Sequence, residues 1–210
     1  MKAASEIETQ VMDRFAAELT PQYLISYHSS GNEVLFPYVC HKNTVITDQD
    51  VYYSLRDRLA QHIGFGKRYA SSSGEDFEHH FHRYGSLSFL LEIGKEFQPS
   101  FKTYQNTVWP NVKKVLPFLL KELKSSMLTV KVIDEEGIAL KGATVLIKEQ
   151  PLLQNEVRVT NARGVLKRKL NAQSNQYWIK VALSGYLGQK LPVKIDEGKN
   201  KEIVVELVKR

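Results

Sequence analysis

Cysteine is nearly absent: Cys40 stands alone in 210 residues. One thiol excludes an intrachain disulfide framework and leaves the compartment undecided. A half-buried structural side chain, not a reactive thiol, is the expected role for Cys40. No apolar run approaches the roughly 20 residues that span a bilayer, so no transmembrane segment is expected. The opening Met1-Lys-Ala-Ala-Ser-Glu-Ile-Glu lacks a hydrophobic signal core. A charge excess is also missing from most of the chain. Residues 1–126 balance 14 Lys and Arg against 14 Asp and Glu, while residues 127–210 carry 15 against 9. The net charge of +6 therefore falls wholly in the C-terminal part. Those cations punctuate turns and strand faces without forming a run. With no recognition helix and no interleaved basic–aromatic face, nucleic acid is not an expected partner.

What is present divides into two textures. As far as about residue 124, helical and strand patterns alternate. Ile7, Val11, Phe15 and Leu19 recur four apart across Glu6–Leu19, predicting an amphipathic helix stopped by Pro21. Tyr23–Tyr27 reads as a short buried strand ending at His28. Asp50–Ile63 reads as a second helix capped by Asp48 or Asp50. Arg68–Ser72 and Ser86–Glu92 read as strands, and Thr103–Lys124 as a long helix bent at Pro110 and Pro117. This alternation argues for a parallel or mixed sheet covered by helices. After Ser125-Ser126 come short strands separated by turns: 128–133, 143–148, 156–160, 165–170, 177–181, 191–195 and 202–207. Their spacing, with no helix between them, indicates an antiparallel sandwich. The expected division is 1–125, an α/β unit, and 126–210, an all-β unit. The aromatic residues Tyr177, Trp178 and Tyr186 in the second unit read as core and edge packing, not as a sugar platform.

One carboxylate stands out. Glu92 ends the apolar run Ser86-Leu-Ser-Phe-Leu-Leu-Glu-Ile-Gly94. Burying it without a partner costs roughly 3 kcal/mol or more, or forces it neutral. The use that matches such a position is a general base with apolar walls. His28 follows another strand, in Ile25-Ser-Tyr-His-Ser-Ser-Gly31, and Tyr69 lies in Lys67-Arg-Tyr-Ala-Ser-Ser-Ser-Gly74. Ligand-binding groups gather at the carboxyl ends of strands in doubly wound sheets. His28, Tyr69 and Glu92 are therefore expected around one cleft, a kit suited to metal-assisted hydrolysis. The run Glu78-His79-His80-Phe81-His82 imitates a metal site, but adjacent histidines do not share a helix face. A solvated loop or helix rim is the expected reading there.

These segments resemble the zinc metallocarboxypeptidases of the funnelin (M14) family, in the C-terminal part of their catalytic domain. The resemblance rests on His28-Ser29 before Phe36-Pro37-Tyr38, the Tyr69–Gly74 loop, the strand ending in Glu92, and Phe97–Pro99 with the closing helix. It implies His28 as a zinc ligand, Ser29 as a shaper of substrate subsites and Tyr69 as a cover for the bound peptide terminus. Glu92 would be the base that activates zinc-bound water. Asp76, beside Glu75, would lie at the floor of the specificity pocket and favour basic C-terminal residues. The substrate class implied is a peptide or protein C-terminus, and the setting leans towards secreted or periplasmic. Residues 127–210 resemble the transthyretin-like, carboxypeptidase regulatory-like sandwich. The carriers are Val132-Ile-Asp-Glu-Glu-Gly137, Lys141-Gly-Ala-Thr-Val145, Thr160-Asn-Ala-Arg-Gly164, Tyr177–Val181 and Ser184-Gly-Tyr186.

The family's His-x-x-Glu pair has no counterpart. None of the six histidines, at 28, 41, 62, 79, 80 and 82, is followed three residues later by Glu. The Arg and Asn-Arg segments that grip the substrate carboxylate are missing as well. The chain is therefore expected to be the C-terminal part of a longer protein, with a missing segment or a partner covering an exposed sheet edge. One histidine does not hold a catalytic zinc, which takes about three protein ligands. Weak zinc binding and no cleavage are expected of this chain alone. The rival expectations are a non-catalytic protein that binds or scaffolds through its sandwich, and a related amide deacylase.

Overall fold

The computed structural model describes residues 5–37, 49–69, 74–123, 126–149, 152, 156–170 and 176–210. Helix and sheet are mixed, and the strands among the described residues form three sheets. No helix among the described residues is long and apolar enough to cross a membrane. Cys40, Asp48 and residues 70–73, on which expectations were placed, lie outside the described residues, as does part of the expected junction at 124–125.

The N-terminal part runs α1 (Ile7–Leu19), β1 (Tyr23–His28), β2 (Glu33–Phe36), α2 (Gln49–Ile63), β3 (Gly66–Tyr69), α3 (Asp76–Tyr84) and β4 (Leu87–Glu92). Its sheet has the order β1-β4-β2-β3. β4 lies parallel to β1 and antiparallel to β2, and β2 lies parallel to β3. Because side chains alternate along a strand, the register sorts the residues into two faces. Phe89 and Leu91 of β4 face one side with Val34 and Phe36 of β2. That side packs on Tyr52, Leu55, Leu59 and Ile63 of α2 and on Val115 and Leu119. Leu90 and Leu35 face the other side and meet Phe77 of α3. β4 is buried for five consecutive residues, Leu87 to Leu91, as a strand covered on both faces should be.

Two elements differ from the sequence reading. The run Glu78–His82 is not a loop but part of α3, with His79 exposed on the helix rim while Phe77, His80 and Phe81 are buried. Phe77 and Phe81 stand four apart, so they share a face, and Gly85 closes the helix. The long helix expected over Thr103–Lys124 is instead four pieces: α4 (Phe101–Thr103), a π-turn over Tyr104–Val108, α5 (Trp109–Val112) and α6 (Val115–Glu122). Pro110 supplies no N–H for a carbonyl four residues back, and the wider turn before it closes with Trp109 N–H donating to Tyr104 O. Pro117 sits in the first turn of α6, where an N–H would have no helical partner anyway.

The C-terminal part contains β5 (Met127–Asp134), β6 (Thr144–Ile147), β7 (Val165–Lys169), β8 (Tyr177–Ala182), β9 (Gln189–Val193) and β10 (Lys201–Leu207). They form two three-stranded sheets, β10-β5-β7 and β6-β8-β9. Leu128, Val130 and Val132 of one meet Val145, Ile179 and Val181 of the other in a single apolar core. Pairing is antiparallel except between β5 and β10, which run parallel along seven residues. Residues 156–160 are not a full strand but follow β6 through Val145 N–H to Arg158 O and Thr160 N–H to Ala143 O.

Candidate functional site

The carboxyl ends of β1 and β4 lie side by side, and His28 is the direct register partner of Glu92. Parallel partners project to the same side of a sheet, so the imidazole and the carboxylate share a face. Across the other flank of β4, Glu33 is the antiparallel partner of Glu92. Two carboxylates thus stand on neighbouring strands, and Arg68 of β3 reaches between them. Its Nε donates to Glu33 Oε2 at 2.5 Å, and its Nη2 lies 4.0 Å from Glu92 Oε1. The side chain of Glu92 is only 16% exposed, and its Oε2 is buried with no hydrogen-bond partner among the described residues. His28 is exposed.

The loop after β1 completes this end of the sheet. Ser29 Oγ donates to Phe97 O at 2.9 Å, Gly31 N–H to Gly94 O, and Ile93 N–H to His28 O. The Ser29–Ser30 peptide is cis. A Cβ on Gly31 would stand 3.0 Å from Glu33 Oε2 and 3.3 Å from Glu92 Cβ, so the backbone itself forms one wall of the carboxylate pair. Phe97, whose carbonyl takes the Ser29 bond, leaves its ring 72% exposed.

The structure does not gather all the expected residues. Tyr69 is the register partner of Phe36 and faces the opposite side of the sheet from Glu92 and His28. Its ring lies 4.4 Å from that of Phe36 and bonds the Tyr53 side chain. The Tyr53 phenol is pushed up to about 12 by burial and by that bond. The one-cleft expectation is therefore corrected for Tyr69: strand parity sends it to the α2 side. Ser29 is close to His28 in the chain, but its hydroxyl is committed to Phe97. Asp76 opens α3, and its Oδ1 accepts from Phe77 N–H at 2.8 Å. The helix covers the Glu92 face of the sheet, yet the charge of Asp76 bears on His80.

Glu33 and Arg68 were missed by sequence reasoning. The available signal was Glu33-Val-Leu-Phe36, a four-residue strand between the Gly31-Asn32 turn and Pro37, which puts its carboxylate in register with Glu92. As for a metal, no group of three or more His, Cys, Asp or Glu suited to an ion occurs among the described residues. His28 and Glu92 do not by themselves make a catalytic zinc site, and the His79–His82 pairing adds no ligand set.

No family model matches the chain, and no curated protein matches it. Among solved structures, the chain is similar to the Bacillus anthracis TIE protein, with 16% identity and TM-score 0.32 over 41% of this chain and 17% of that one. It is similar to a streptococcal ancillary pilin with 13% identity and TM-score 0.33, over 41% of this chain and 33% of the pilin. A third likeness is to 3-chlorocatechol 1,2-dioxygenase from Rhodococcus opacus 1CP, with 11% identity and TM-score 0.30, over 41% of this chain and 60% of the enzyme.

Proposed function

We propose that this chain carries one side of a carboxypeptidase-like hydrolytic site, on an α/β unit over 1–125, joined to a transthyretin-like unit over 126–210. On this reading the chain alone releases no C-terminal residues. The observation that carries it is the pairing of His28 with Glu92 at the carboxyl ends of adjacent parallel strands, with Glu92 Oε2 buried and unpartnered among the described residues. Ligands and carboxylates placed at strand ends are what such sheets use for chemistry. In this reading Glu92 accepts a proton and His28 offers a nitrogen to a metal. Ser29 holds the loop between them against Phe97. The residues present do not fit zinc unaided. Completing the site requires ligands from another polypeptide segment.

The second reading is a non-catalytic binding protein. It is favoured by Arg68, which ties Glu33 and stands beside Glu92 as an internal counterion. One experiment tests the claim that the chain alone is an incomplete site. Purified protein is titrated with zinc under calorimetry and incubated with peptides ending in Arg, Lys, Phe or Leu. Less than stoichiometric zinc and no released amino acid are expected. Stoichiometric zinc binding, or release that disappears in both His28→Ala and Glu92→Gln, overturns the proposal.

A further inference from the structure

β1 is an outer strand of its sheet among the described residues, so one row of its backbone N–H and C=O groups has no ladder partner. Beside that free edge runs a groove of about 1070 Å³ between the two parts of the chain. One wall is apolar. Tyr27, Leu116 and Leu120 line it, yet they remain 47%, 64% and 50% exposed. The facing wall is polar and cationic. Thr129 pairs with Lys167, and Lys131 follows two residues along β5, so all three project from the outward face of β10-β5-β7. Arg163, in the turn before β7, adds a third cation to the lining, and Glu202 is the one acid among its described residues. None of Lys131, Arg163 and Lys167 has an ion-pair partner among the described residues.

We propose that this groove takes an extended segment of another polypeptide, added as a strand to β1. That segment presents apolar side chains to α6 and carboxylates to the cationic wall. Main-chain bonds along the edge supply affinity, and the two walls supply the choice of side chains. Charge decides between occupants. A second copy offering its own edge, Tyr23-Leu-Ile-Ser-Tyr-His28, brings no carboxylate to Lys131, Arg163 and Lys167, whereas an acidic amphipathic strand does. Nothing in this inference depends on hydrolytic chemistry at His28 and Glu92.

The test uses the full chain and fluorescein-labelled, acetylated peptides of about ten residues, the length of a long strand. One alternates Val and Thr with two Glu at one end, the second carries Lys in place of Glu, and the third is the Glu peptide with two central prolines. Fluorescence anisotropy is expected to show the Glu peptide binding about tenfold more tightly than the Lys peptide, with affinity falling as salt rises. The proline peptide loses binding because it cannot complete the ladder. Lys131→Glu with Lys167→Glu, both on exposed positions, reverses the preference. Three results overturn the proposal: equal binding of Glu and Lys peptides, no binding by any peptide, or a chain dimer in sedimentation that Leu120→Arg dissolves.

Discussion

His80 is the most consequential single side chain outside the candidate site. It is 5% exposed, and its Nδ1 has no hydrogen-bond partner among the described residues. Burial first, and then the neighbouring His79, pull its pKa below the usual imidazole value, against the opposing pull of Asp76 and Asp13. The unfolded chain therefore takes up a proton at about pH 6.5 while folded His80 stays neutral. Stability is full above that pH and is lost as the pH falls towards the folded value. Urea unfolding from pH 8 to pH 5 should show this loss in the wild type and a shallower one in His80→Leu. At pH 8 the two should differ by no more than about 1 kcal/mol, since no hydrogen bond through Nδ1 is given up. Parallel slopes would remove His80 as the cause. Asp13 acts lower on the scale. Burial raises its pKa, but bonds from Tyr84 and His79 outweigh burial and leave it lowered, so its contribution is present above the ordinary carboxyl value and is lost as the pH falls through that value towards the lowered one.

α1 separates what a pattern reveals from what it hides. The four-residue spacing located the helix to within one residue, because period is a local property of the chain. It did not reveal what the apolar stripe meets. Ile7, Val11, Phe15 and Leu19 are 46% to 73% exposed, and only Ala16 is buried. The helix is attached instead through Asp13, which pairs with His79 at 2.7 Å and accepts from Tyr84 at 2.5 Å. Replacing Val11 and Phe15 together by Gln should change thermal stability by less than about 1 kcal/mol and reduce light scattering at high concentration. A fall in Tm of more than about 5 °C would mean that the stripe is covered. The same distinction runs through the candidate site. Strand ends at His28 and Glu92 were legible from hydrophobic runs, whereas the face taken by Tyr69 depended on the register of β3 against β2. That register is a long-range property with no local signature. β2 is four residues long, too short to carry a period. The π-turn before Pro110 is an adjustment of hydrogen bonding that composition does not encode.

At the scale of the whole molecule, the two cores are joined by buried polar contacts. Arg158, 1% exposed, reaches from the β-sheet part to donate to His82 O at 2.9 Å, near the end of α3, and its guanidinium lies 5.6 Å from the centre of the Phe81 ring. Glu156 pairs with it at 3.6 Å, both side chains fully buried. The close approach requires Gly85, whose φ is 72° and where a Cβ would stand 2.6 Å from Arg158 Nε. Lys169 donates to Glu122 O at the end of α6, and Asn161 donates to Thr20 after α1. Removing one partner of a buried ion pair strands the other's charge and costs about 3–5 kcal/mol, whereas removing both costs much less. Arg158→Met should therefore destabilise the chain strongly, and Glu156→Gln added to it should recover a large part of the loss. Coupling predicts a further signature. In calorimetry the wild type should melt in one transition, because neither core unfolds without breaking these contacts. The double variant keeps both apolar cores and the Lys169 and Asn161 contacts but lacks the guanidinium, so its transition should broaden or split. If the wild type already shows two transitions, Arg158 packs at the junction without binding the two cores into one cooperative unit.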